Sequence, residues 1–199
     1  MSDVVMRTVG LVVAAGLVLS ACTGPTPDPD ASGSATGDPT PTASASPSVS
    51  SSLPAKPERP AAMDRDDAEG AAVAAEYFIE LYPYVMATGD TEEFEAMSHQ
   101  ACGFCEEALE QANEIDEEGW AYAGGESSLS VTQVYMRDEV TGIYPLDTEI
   151  SQAPSRITGP NGDEIYSVES KRFDRRVEMG TRDGEWVVVT VAPIPGADQ

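Results

Sequence analysis

The chain has three thiols, Cys22, Cys102 and Cys105, and their settings point to two different chemistries. Cys22 closes the tetrad Leu19-Ser20-Ala21-Cys22, at the end of an apolar run that begins at Val9 and follows Arg7. That is the pattern of a lipobox. The apolar run feeds the chain into export machinery, and small residues at 20 and 21 let a signal peptidase reach the backbone. The Cys22 thiol then accepts a diacylglyceryl group and becomes the new N-terminus. As a helix the run reaches roughly 20 Å, short of the ~30 Å hydrocarbon core, which disfavours a membrane span. The remaining rival is a plain secretory signal cut at another small residue. Asp3 offsets Arg7 in the leader, and a start at Met6 gives a cleaner positive end. Each buried methylene contributes about 0.8 kcal/mol and one acyl chain binds only marginally, so two chains on Cys22 are expected to attach the protein firmly to the bilayer.

Cys102-Gly103-Phe104-Cys105 is the sharpest motif further on. Export places these thiols in an oxidising or weakly redox-buffered space. One reading is a structural disulfide across one turn, worth roughly 2 kcal/mol in the loop-entropy model. The other is thiol–disulfide exchange, because a helix N-terminus lowers the pKa of the first thiol. Thioredoxin-like folds place the motif after a β-strand, whereas here a helix precedes it and the Gly-Phe pair lacks proline. The bridge Cys102–Cys105 is therefore the reading carried forward, with exchange as its alternative. His99 could join both thiols on zinc only with a carboxylate such as Glu106 as fourth ligand. No metal site and no cofactor is expected.

The 35 acidic and 11 basic residues give a net charge of −24, and removing residues 1–21 takes away Asp3 and Arg7 together. Such a chain repels nucleic acid and anionic lipid surfaces, so neither is expected as a partner. Its basic residues are not scattered. Lys171, Arg172, Arg175, Arg176 and Arg182 lie on one segment. Either they pair with the acidic elements around them, or they form a positive floor for an anion or an acidic partner segment. Alternation puts Arg172, Asp174, Arg176 and Glu178 on one face, where the charge cancels in part. Acid–base catalysis needs a carboxylate pair or an Asp–His dyad. Asp90 and Glu95 read equally as helix caps and surface acids, and the single His99 builds no Ser/His/Asp set. Gly124-Gly125 lacks the lysine and spacing of a phosphate loop. No catalytic residue is assigned.

The elements that must hold these groups follow from composition and period. Residues 22–62 are mostly Pro, Ser, Thr, Ala, Gly and Asp, with no aromatic and only Val49 and Leu53 as large aliphatics, and cannot bury enough surface to offset their ordering entropy. They are expected to form a disordered tether reaching ~130 Å fully stretched and roughly 35 Å as a flexible coil. A spacer role is favoured over a binding segment or glycosylated stalk. Residues 63–199 carry every aromatic side chain and have the size of one domain. Ala71, Ala75, Phe78, Leu81, Tyr82 and Val85 recur at helical spacing and predict a helix over 66–88, kinked in its last turn by Pro83 and stopped at Gly89. Asp90 and Glu93 predict a capping box and a second helix through Met97. A third is expected from Ser98 or His99 to about Glu118, with Phe104, Ala108, Ala112 and Ile115 inward and its glutamates in water. After Gly124-Gly125 the period becomes two: a strand at 128–135, short edge strands and loops over 140–162, and a hairpin joining 170–182 to 185–192 through Asp183-Gly184. The valine-rich last strand reads as central.

Helices first and strands after imply an α+β layer. The run Tyr77-Phe78, Ala87-Thr88-Gly89-Asp90 and Phe94, closed by Asp183-Gly184-Glu185-Trp186-Val187-Val188-Val189, resembles the nuclear transport factor 2-like superfamily. That likeness implies a cone-shaped domain with three N-terminal helices packed on a curved antiparallel sheet. With the lipobox, the tether and the Cys-x-x-Cys, the whole is similar to uncharacterised lipoproteins of high-GC Gram-positive bacteria. The superfamily holds enzymes and binding modules alike, so fold carries no reaction with it. The expectation is a membrane-anchored extracytoplasmic module, more binding or accessory than catalytic, that recognises an envelope protein or small ligand or regulates a neighbour by contact. Tyr77, Trp120, Tyr135, Phe173 and Trp186 are candidates for lining the concave pocket, or for plain core. Lys171, Arg172, Arg175 and Arg176 are candidates for an anion patch.

Overall fold

In a computed structural model residues 53–196 are described; the lipobox, Cys22 and the tether through residue 52 lie outside them. Helix α1 is Ala68–Thr88, and Asp67 caps it by accepting the N–H groups of Glu69 and Gly70 at 3.1 and 3.0 Å. Arg65 lies on the same carboxylate and, with the N–H groups, holds Asp67 below its ordinary pKa. The helix continues through Pro83 to Gly89, which ends it in the left-handed region at φ 68°. Leu81, Val85 and Met86 are buried on both sides of the proline, and that packing offsets the hydrogen bond it removes.

Helix α2 is Glu92–Ala96, and its capping differs from expectation. Asp90 accepts the Tyr84 hydroxyl at 2.7 Å, and Glu93 pairs with Lys56 at 2.8 Å. A cation and a phenol have taken the carboxylates that a capping box would use. Helix α3, Gly103–Glu117, also begins later than expected, after Cys102. The reason lies in the sheet. Met97 and His99 hydrogen-bond the Val188 backbone at 2.7 and 3.0 Å, so this stretch serves as a patch of strand pairing. The inward residues Ala108, Ala112 and Ile115 are buried, Phe104 is half-buried, and Glu106, Glu107, Glu110, Glu114, Glu117 and Glu118 face water.

Seven strands follow: β1 Ala121–Gly124, β2 Ser127–Val134, β3 Tyr144–Gln152, β4 Ser155–Thr158, β5 Glu164–Val168, β6 Lys171–Arg182 and β7 Glu185–Ala192. The expected single sheet is two antiparallel sheets, ordered β2-β3-β6-β7 and β1-β4-β5. The α+β class holds, with the three helices preceding the strands and α1 and α3 packed on the larger sheet. Two strands correct the sequence reading. β3 is central despite Pro145, because β2 stops pairing at Val134–Leu146 and the missing N–H falls just beyond that end. β7 is an edge strand; its apolar pattern reflects Val188 facing the helices, Val187 buried on the other face, and Met97–His99 covering part of its free edge. The β6–β7 hairpin is as expected, with Asp183 and Gly184 at φ 56° and 88° and Arg182 opposite Glu185.

Phe78, Leu81, Phe94, Leu146, Met179 and Val188 form the centre of the core. Before α1, the extended segment 53–60 lies against the domain through Lys56–Glu93 and an Arg59–Glu185 pair at 2.7 Å. A short 3-10 turn, Ala61–Asp64, then offers the Met63 carbonyl to the Trp186 indole N–H at 2.9 Å. Part of the stretch read as tether up to residue 62 is thus laid on the folded domain.

Candidate groove between the helices and the sheet

Between α1, the start of α3 and the larger sheet lies a cavity of about 200 Å³. α1 supplies Ile79 and Tyr82, one helical step apart, and α3 supplies Phe104 from its first turn. The sheet supplies Ser127, Ile150, Gln152, Phe173, Arg175 and Val191, residues whose strand positions alternate onto the helix side. Tyr82 and Phe104 stack at 6.1 Å, and the Tyr82 hydroxyl donates to Gln111 Oε1 at 3.0 Å. Burial pushes the Tyr82 phenol up to about 12, so it remains a donor at neutral pH. Arg175 sits 4.9 Å over the Phe173 ring and donates to the Asp174 carbonyl at 2.8 Å. A second cavity of about 170 Å³ shares Tyr82 and Gln152 and is lined by Tyr122, Arg156 and Lys171 among others.

Of the five aromatics singled out from sequence, Phe173 alone lines the groove. Tyr77 is buried in the core, where burial and the Glu93 carboxylate raise its pKa. Trp186 is buried with its N–H on Met63 and its ring edge-on to Tyr144 at 5.8 Å, and Trp120 packs on the core after α3. Tyr135 lies past the end of β2 on the opposite face of the sheet, bonded to Asp147. Helical and strand periods identify apolar faces, but they do not separate a filled core from a groove wall. Tyr82 and Phe104 were read as inward helix residues and are groove walls. Only the distance between helices and sheet distinguishes the two.

The basic segment divides by strand alternation. Arg172 and Arg176 face away from the helices and meet carboxylates of β3: Arg176 on Asp147 at 2.7 Å, Arg172 near Glu149 at 3.5 Å. Lys171 and Arg175 line the cavities instead. Arg182 donates to the carbonyls of Ala96 and Ser98 at the end of α2, at 2.7 and 3.4 Å.

Cys102 and Cys105 are joined, and both are buried. Cys102 Sγ accepts the Cys105 N–H at 3.2 Å, which makes the sulfur the cap of α3. Exchange needs an attacking thiolate to reach a disulfide sulfur, and burial blocks that approach. Replacing both cysteines by serine is expected to destabilise the protein by about 2 kcal/mol, the loop-entropy value, read from urea unfolding. No change in the midpoint would mean the bridge is idle. His99 Nδ1 accepts the Ala101 N–H at 3.1 Å, a local turn contact. Among the described residues no group of three His, Cys, Asp or Glu side chains is placed to hold a metal ion, and no helix is long and apolar enough to cross a membrane.

The fold and groove define an α+β domain with helices laid over an antiparallel sheet and a small cavity between the layers. Residues 43–192 match the DUF6318 family, a family of unknown function, and the chain belongs to it. No curated protein matches the chain. Among solved structures, the intermembrane space region of the chloroplast protein ARC6 is similar at 13% identity and a TM-score of 0.50 over 65% of this chain and 99% of that one. At that identity the likeness is one of fold. A periplasmic fragment of TraM is similar at 10% identity and a TM-score of 0.36, over 61% of this chain and 89% of its own. CagV, a VirB8 homolog from Helicobacter pylori, is similar at 14% and 0.34, over 62% and 96%.

Proposed function

We propose that this chain is a lipid-anchored, extracytoplasmic binding module of the cell envelope whose ligand site is the groove between α1, α3 and the larger sheet. The observation that carries the binding assignment is the cavity lined by Ile79, Tyr82, Phe104, Ile150, Phe173 and Val191, with polar groups at its margin. The lipobox at 19–22 supports the anchor, and residues 1–21, 22–62 and 63–199 serve as signal, acylated tether and domain, with the tether's last stretch, 53–62, docked on the domain. The helix-over-sheet layering fits the nuclear transport factor 2-like class, whose concave side offers such a pocket. A buried Cys102–Cys105 bridge and a His99 held in a turn support recognition over redox or acid–base chemistry.

Palmitate labelling tests the anchor. The wild type is expected to incorporate label and fractionate with membranes, and Cys22→Ala to lose both completely. Equal labelling of the variant would remove the lipoprotein assignment. The ligand site is tested by closing the groove: Val191→Trp is expected to abolish small-molecule binding, while circular dichroism stays unchanged.

A further inference from the structure

Ten basic residues fall within the described chain, and their partners single out one corner of it. Lys56, Arg59, Arg65, Arg137, Arg172 and Arg176 each pair with a carboxylate, and Arg182 caps the carbonyls that end α2. Arg156, Lys171 and Arg175 are left without an ion pair among the described residues, although acids outnumber bases by 35 to 11. All three line the two neighbouring cavities that share Tyr82 and Gln152 as wall residues. Half-burying a guanidinium without a carboxylate carries a desolvation cost, and Arg175 offsets it only with a carbonyl and the Phe173 ring. Beside Arg156 and Lys171, Tyr122 helps wall the second cavity, while its hydroxyl is buried against Gly125 and Ser155.

The two cavities differ in chemistry. The first is walled by aliphatic and aromatic carbon, and at about 200 Å³ it exceeds the ~150 Å³ apolar cavity known to take a benzene ring. The second is polar and carries two cations, Arg156 and Lys171. We infer that the two adjacent cavities together bind a short amphipathic anion. Its apolar body, one ring or a short acyl chain, lies between Tyr82, Phe104 and Phe173, and its anionic head lies past Gln152 at Lys171 and Arg156. The cations convert the groove from a general apolar slot into one selective for negative charge. A chain of net charge −24 repels anions at long range, so affinity here rests on these short-range contacts.

This inference rests on the groove being the ligand site, and the experiment separates the two. The mature chain carrying Cys22→Ser, free of lipid, is titrated calorimetrically with octanoate, octyl phosphate, 1-octanol, octyltrimethylammonium and acetate. Octanoate or octyl phosphate is expected to bind about tenfold or more tightly than octanol, the size of one charge-assisted hydrogen bond, and the tighter of the two names the head group. Acetate and the cationic amphiphile are expected not to bind. Arg156→Gln with Lys171→Gln should weaken the anions about tenfold and leave octanol unchanged, whereas Val191→Trp should remove both. Octanol binding as tightly as both anions would overturn the anion inference and leave the groove assignment standing. Binding of no octyl compound would overturn both.

Discussion

Phe78→Ala is expected to lower the unfolding free energy by about 4 kcal/mol, within the usual range for a fully buried phenylalanine. Phe78 is wholly buried on α1 and stacks on Phe94 with ring centroids 4.2 Å apart. Phe94 is the buried residue of α2, a helix of five residues that is far too short to hold itself by backbone bonding. Removing the Phe78 ring therefore costs its own burial, the cavity left behind and the attachment of α2. The effect also reaches the sheet, because Met97 and His99, just after α2, pair with Val188 on the edge of β7. Hydrogen exchange at Val188 should rise more than at Val177, whose strand is paired on both sides. Phe78→Leu, which keeps most of the volume, should cost less than half as much. Urea midpoints with unchanged slope measure both, and a loss below 1 kcal/mol for alanine would contradict the packing described.

Asp147→Ala is expected to cost about 2 kcal/mol. Its carboxylate accepts two bonds from Arg176, at 2.7 and 3.0 Å, and one from the Tyr135 hydroxyl at 2.8 Å, while the guanidinium lies 4.6 Å over the Tyr135 ring. Asp147 is 8% exposed, yet it lies on the outer face of the sheet, covered by two side chains and not by the interior. The cost thus falls between the ~3 kcal/mol or more of breaking an interior pair and the ~1 kcal/mol or less of an exposed one. The Arg176 hydrogen bonds hold the carboxyl below its ordinary pKa, against the opposing effect of burial and with help from Tyr135. A depressed folded pKa stabilises above the unfolded value of about 3.9, and that contribution is lost as pH falls through the folded one. The stability gap between wild type and Asp147→Asn should be constant from pH 7 to about 5 and close at lower pH. A gap undiminished at pH 2.5 would assign the effect to shape and not to charge.

Much of the fold was legible because its signals are local. The apolar period of α1, the Gly89 stop and the Asp183-Gly184 turn each depend on residues close to one another along the chain. The errors were all non-local. Pro145 suggested an edge and lies in a central strand, because only the partner's length decides whether its missing N–H matters. The valines of β7 suggested a centre and lie at an edge, because pairing from Met97–His99 was invisible in either segment alone. By contrast, strand alternation in the sequence already separates Arg172 and Arg176 from Lys171 and Arg175, and only the β3 carboxylates they meet are non-local.

By itself, the order of residues determined the Leu19-Ser20-Ala21-Cys22 pattern, the acidic balance, the α+β class and the short reach that joins Cys102 to Cys105, since each depends on composition or on neighbours along the chain. Tertiary structure alone decided which cations lost their carboxylates and which aromatics wall a groove. Those outcomes depend on distances between α1, α3 and the larger sheet, and such distances arise when whole faces pack, bringing together residues as far apart in the chain as Ile79 and Val191.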